Sequence, residues 1–331
     1  MDRLTSESSP LGSVPAEHAV ARGTNTVQSD GYELALHEVH PQGQREVGTL
    51  LFVHGLTFPG VPDFDLRVPV EDPIGFSYME FLARHGWCCV CFDHRGFGAS
   101  TKPPPGVPFD IPVRARDLAA VVEHARGLTA GPLVLIGISR GCHTISEFLR
   151  RDDRAVDGAV LLGPGGFGRI PRWYFPLAII ALRIADRWRT KSRYVTNTFE
   201  TLERRLWRGR EAFVHRKAFE CFVEQAIAAD PNGPRDRLES LIGMKGQGLR
   251  RYRFRVPVLA VRGGLDHEVS PADLEGVRRL ADAGLVTTRE FADRHHDLHL
   301  YKERRDVFDC ILEFARDRLE RADGSVTRRE P

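Results

Sequence analysis

The chain has 331 residues, 42% of them hydrophobic and 28% charged, with 47 Lys and Arg against 45 Asp and Glu. That length can bury one elaborated domain or two small ones, and the composition is that of an ordinary globular protein. A formal net charge of +2 leaves no basic footprint, so no nucleic-acid partner is expected.

The six cysteines form no CxxC pair and show no zinc-ligand spacing. Three of them, Cys88, Cys89 and Cys91, crowd one strand, where they serve as small buried apolar residues. A reduced, cytoplasmic compartment fits that usage. No charged-then-apolar leader opens the chain. The most apolar run, 173–185, is interrupted by Pro176 and Arg183 and is too short to cross a bilayer, so no membrane insertion is expected.

Residues 1–24 are polar, without apolar periodicity, and read as a disordered tail. Residues 33–39 alternate like a half-buried strand. A fully buried strand follows over 48–54 and ends at Gly55. The long insertion 57–75 is expected to be a loop covering one side of a pocket, with Phe58 and Phe64 lining it. A helix over 76–85, a buried strand over 87–92, a turn over 93–100 and a Pro-rich loop lead to an amphipathic helix over 113–128. The apolar run 133–138 is a buried strand that runs into Gly137-Ile138-Ser139-Arg140-Gly141, and Ile145, Phe148 and Leu149 recur at helical spacing beyond it. Another buried strand spans 156–162. Residues 166–252 then read as helices and turns, rich in Arg and aromatics. Alternation resumes with a strand over 256–261, a helix over 271–283, a strand over 286–291 and a helix over 302–320, and residues 322–331 read as frayed.

Strand–helix alternation on both sides of a helical block implies an α/β fold: a mostly parallel, doubly wound sheet carrying an inserted helical cap. The core spans 25–165 and 253–321 and the cap 166–252. Ligands bind beyond the carboxyl ends of the strands in such sheets, and Ser139 falls there. Glycines two before and two after it let strand and helix approach, and the helix N-terminus aims its first amides, beginning with Arg140, at any oxyanion formed. A serine hydroxyl needs a base, and the base needs an orienting carboxylate. The stretch His295-His296-Asp297-Leu298-His299 supplies the base from the same edge. Asp266, after the strand 256–261, supplies the carboxylate, with Glu268 and Asp273 as competitors. The three histidines come without a second ligand set at metal spacing, so no metal is expected.

From about residue 30 to 320 the chain resembles the α/β-hydrolase superfamily. Val53-His54-Gly55 is similar to its His-Gly oxyanion turn, Asp93 to Ser100 to its D-x-R-G-x-G-x-S turn, and Gly137 to Gly141 to its nucleophile elbow. Val256 to Asp266 and His296 to Leu300 resemble its acid and base turns, in the Ser–Asp–His order. Cys142 and His295 stand where the family usually has a small residue, often Gly, and Gly. The resemblance implies Ser139 as nucleophile, His296 as base, Asp266 as its partner, and the backbone N–H groups of Leu56 and Arg140 as the oxyanion hole. It implies a serine hydrolase without cofactors, acting on an ester, thioester or lactone of a small to medium, partly apolar molecule. Phe58, Phe64 and the cap residue Trp173 would line the pocket. Two other uses of the fold stay open: non-hydrolytic or C–C-cleaving chemistry (a lyase, cyclase, acyltransferase or haloperoxidase-like enzyme), and a binding protein without catalysis.

Overall fold

Five runs with every residue buried, Gly48–Val53, Trp87–Phe92, Leu133–Ile138, Gly158–Leu162 and Val258–Gly263, can only be the middle of a sheet covered on both faces. The computed structural model describes residues 19–104, 110–168, 177, 180, 194–196, 198–234, 253–282 and 284–326. With β1 (Val20–Ser29) and β2 (Tyr32–Pro41), those runs become β3, β4, β5, β6 and β9. With β10 (Val286–Phe291) they form an eight-stranded sheet of order β1-β2-β4-β3-β5-β6-β9-β10. β2 runs antiparallel to β1 and β4, and all the other pairings are parallel.

Helices cover both faces. On one face α3 (Ile111–Arg126), α4 (Arg140–Arg151) and α7 (Pro271–Arg278) bury Leu118, Ile145 and Val277 against the sheet. On the other, α2 (Tyr78–Ala83) and the terminal α8 (Arg305–Val326) bury Phe81, Phe308 and Ile311. Capping side chains fix the starts of the helices: Ser77 accepts the Glu80 N–H at 2.8 Å and Asp110 that of Val113 at 3.0 Å. No helix among the described residues is long and apolar enough to cross a membrane.

A third apolar cluster joins α5 (Phe199–Leu206) and α6 (Arg216–Ala229), from the inserted block, to Phe58, Leu66 and Phe76 of the insertion after β3 and to Leu300 and Tyr301. Three expectations are corrected here. Val20 to Thr24 belong to β1 rather than to a tail, and the terminal helix runs on through residues 322–326. The inserted block also holds a short antiparallel pair, β7 (Tyr194–Thr196) with β8 (Asn232–Pro234), where only helices and turns were expected.

The turn after β4 is built as a brace. Asp93 accepts the N–H groups of Gly60 at 2.8 Å and Ala99 at 3.0 Å. Arg95, its side chain 3% exposed, donates from Nε at 2.9 Å to Asp117, which is fully buried and also accepts from the Ser29 hydroxyl at 2.8 Å. The pair ties β1, the turn and α3 together. Removing one partner strands a buried charge, so Asp117→Ala is expected to lower unfolding free energy by about 3–5 kcal/mol. Urea denaturation would read this as a lower midpoint with an unchanged slope.

Candidate active site

Ser139 sits between β5 and α4 with φ 52° and ψ −112°; among the described non-glycine residues only Asp30 shares its positive φ. Such a backbone costs on the order of 1–3 kcal/mol and persists only where its surroundings hold it. The Ser139 N–H donates to Leu162 O at 2.8 Å, and the Cys142 N–H returns to Ser139 O at 3.1 Å. Gly141 completes the turn, since a Cβ there would lie 2.0 Å from Val53 O. The turn after β3 abuts it: a Cβ on Gly55 would stand 3.6 Å from Ser139 Cβ.

That second turn is pinned from below. His54 Nδ1 lies 3.0 Å from Gly55 O and Nε2 accepts the His94 N–H at 3.0 Å, so the ring carries its proton on Nδ1. Burial, and then the Arg114 charge, pushes its pKa down to about 3 and keeps it neutral. Arg114, itself buried, donates to the same Gly55 carbonyl at 3.3 Å. Both hold that carbonyl inward, which fixes the peptide leading to Leu56.

Asp266 follows β9. Its Oδ1 accepts the Glu268 N–H at 2.8 Å, and its Oδ2 lies 2.7 Å from His296 Nδ1. Burial opposes charge on both. Their mutual hydrogen bond and attraction outweigh it, lowering the Asp266 pKa and raising that of His296 to about 9. Gly163, at the end of β6 with φ +62°, admits the imidazole, because a Cβ there would lie 2.8 Å from His296 Cε1. The other ring nitrogen, Nε2, is buried and makes no hydrogen bond to any described residue, Ser139 included; the Glu268 carboxylate lies 3.9 Å from it. Such contacts are often long before substrate binds.

Of the competitors, Glu268 shares the cavity and faces the far ring nitrogen rather than Nδ1, and the others are occupied elsewhere. Asp273 accepts from Ser270 and from the Gly168 N–H. His295 offers its N–H to the Tyr301 hydroxyl at 2.8 Å, and its ring faces His267 and Tyr301. His299 is buried between Tyr78 and Phe222, and that burial lowers its pKa to about 4.

Ser139, Arg140, Leu56 and His296 line one cavity of about 400 Å³, together with Phe58 and Ile138. Phe64 does not reach it. The insertion contains a short helix, α1 (Gly60–Phe64), that turns Phe64 into the core, 5.0 Å from the Phe52 ring. Trp173 lies outside the described residues. The wall also holds Asp63, Glu268 and Asp297, so it is more polar than an apolar pocket. Asp63, which accepts the Gly55 N–H at 3.3 Å, was missed, and a single acid inside a Pro-rich insertion carries no pattern that would have found it. Cys142 is fully buried with its thiol on the Gly137 and Leu162 carbonyls. His143 bonds Gly165 O at 2.7 Å and stacks on Phe167.

The family model described as "Alpha/beta hydrolase family" matches residues 50–309. Among solved structures, the chain is similar to a thermophilic esterase from Thermogutta terrifontis, with 20% identity over 89% of this chain and 99% of that one, at a TM-score of 0.65. It is similar to potato (Solanum tuberosum) epoxide hydrolase I, with 16% identity over 90% and 100% and a TM-score of 0.65. A thioesterase domain from the curacin biosynthetic pathway matches with 16% identity over 89% and 99%, at a TM-score of 0.61. At such identities these likenesses speak of the fold alone.

Proposed function

The chain belongs to the α/β hydrolase family, and on that premise we propose that it is a serine hydrolase that cleaves an ester, thioester or lactone through an acyl-enzyme. The observation that carries this reading is the buried Asp266–His296 pair, 2.7 Å apart, on the same cavity as a serine held in a left-handed backbone. Ser139 Oγ attacks the substrate carbonyl while His296 Nε2 takes its proton, and Asp266 keeps the proton on Nδ1 and stabilises the imidazolium. The N–H groups of Leu56 and Arg140 hold the oxyanion, helped by the N-terminus of α4. His296 then protonates the leaving group. Water, deprotonated by the same nitrogen, releases the acyl group and restores Ser139.

Phe58 and Ile138 offer the acyl chain apolar surface. Phe222 of α6 packs edge-on against Phe58 at 4.8 Å, which supports reading the inserted block as a cap that backs the pocket and keeps water out. Three carboxylates on the same wall favour a substrate that also presents hydrogen-bond donors.

A fluorophosphonate probe followed by intact-mass measurement tests the activated serine. One adduct is expected on the wild type, none on Ser139→Ala, and a much slower one on His296→Ala. A folded wild type that takes up no probe would remove the basis for covalent catalysis.

A further inference from the structure

We propose a second site on this chain, at the opposite end of the sheet from the cavity: a Zn²⁺ site formed by His40, Glu46 and Cys88. Antiparallel pairing of β2 with β4 sets Val39 against Cys89 and so brings His40 beside Cys88, the second residue of β4. Glu46 folds back onto them from the connection between β2 and β3. His40 Nδ1 lies 3.6 Å from Cys88 Sγ and 2.8 Å from Glu46 Oε1, and all three donor atoms lie within 4.8 Å of one another. Tetrahedral zinc with ordinary bond lengths sets nitrogen and sulfur about 3.6 Å apart and nitrogen and oxygen about 3.3 Å apart. The first distance is already met, and the second needs a shift of about half an ångström in a surface carboxylate.

The surroundings of the ring support a cation there. His40 Nε2 lies 3.1 Å from Glu38 Oε2, and the other oxygen of Glu38 is 3.2 Å from His124 Nε2. A carboxylate on the far nitrogen is the usual outer support of a zinc-bound histidine. A neutral imidazole has one N–H, and if Glu38 accepts it, the Nδ1 lone pair points at the Glu46 carboxylate. A positive centre between them, a second ring proton or a metal ion, relieves that repulsion. Where zinc supplies it, Nδ1 donates its lone pair, Cys88 binds as thiolate, and the thiol proton leaves to solvent. The His40 and Glu46 side chains are 29% and 30% exposed, which gives the ion a way in and leaves the fourth position to solvent. A sulfur, nitrogen and oxygen set favours zinc over magnesium or calcium. Glu46 and Cys88 are too far apart in sequence for any spacing motif.

Titrating the chelator-stripped full chain with Co²⁺ tests this through the thiolate-to-cobalt band in the near ultraviolet. One equivalent per chain is expected, displaced by one equivalent of Zn²⁺. The band is expected to vanish in Cys88→Ser, and metal affinity to fall at least tenfold in Glu46→Gln. Glu46 is on the surface, so that variant carries the test if Cys88→Ser does not fold. Absence of the band in the wild type, its persistence in Cys88→Ser, or unchanged affinity in Glu46→Gln would each overturn the site and leave His40 a doubly protonated imidazolium.

Discussion

Ser139→Ala is expected to lower kcat on an activated ester by about 10⁴–10⁶-fold, leaving only what the oxyanion turn and binding supply. Circular dichroism should remain that of the wild type, because the serine side chain makes none of the hydrogen bonds that hold its turn. The backbone at 139 is strained, with φ 52° and ψ −112°. Glycine adopts such angles without a Cβ clash, so Ser139→Gly is expected to be equally inactive yet more stable than the wild type by about 1 kcal/mol. Thermal melts of the two variants separate the chemical role of the hydroxyl from the cost of its conformation. Turnover by either variant within tenfold of the wild type would mean that another group is the nucleophile.

The second large effect concerns Asp266. In the proposed mechanism His296 must be neutral to take the serine proton, and burial beside Asp266 leaves its pKa at about 9 against an ordinary histidine value of 6.5. The wild-type kcat/KM is therefore expected to climb with pH and level off above about 9. Asp266→Asn removes the attraction that holds the proton while burial remains, so the rising limb shifts to lower pH. The plateau falls by about 10⁴-fold, because an amide no longer fixes the tautomer. A pH–rate profile reads both changes, and a limb that does not move would mean that a different group titrates. Stability follows the same charges. The contribution of His296 is fully present below 6.5 and is lost as pH rises through about 9. That of Asp266, whose pKa is lowered, is lost as pH falls through its folded value.

Much of this was legible in the sequence, for a physical reason. Central parallel strands are apolar on both faces, so Leu133–Ile138 shows its bounds without help from the rest of the chain. Its turn residues then announce themselves, because a serine between two glycines after such a strand has few other uses. β1 was invisible for the converse reason. Thr24, Asn25 and Thr26 are exposed on an edge strand held by its backbone ladder to β2, which leaves no apolar alternation to read. The three-residue strands β7 and β8 are shorter than any period. Phe64 was misplaced because an isolated aromatic in a Pro-rich stretch gives no direction, and α1 provides one only in three dimensions. Of the competing carboxylates, Asp266 sits in the turn after β9, whereas Asp273 lies in the first turn of α7 and caps that helix with Ser270, which no spacing encodes.

The seam between β6 and β9 has a consequence for how the molecule comes together. Ala159 pairs with Val258, 99 residues on, whereas Val134 pairs with Gly158, 24 residues on. Closing the longer loop costs only about 1 kcal/mol more at equilibrium, so the sheet can host a large insertion at that seam with little thermodynamic burden. In time the two closures differ. Strands β3 to β6 can assemble from neighbouring segments, but β9 must find β6 across the whole inserted block. Ser139 belongs to the half that can form early, Asp266 and His296 to the half that docks late. The proposed nucleophile can thus meet its proposed base only after a long-range encounter across the inserted block, so a chain folded only through β6 would carry an unarmed serine.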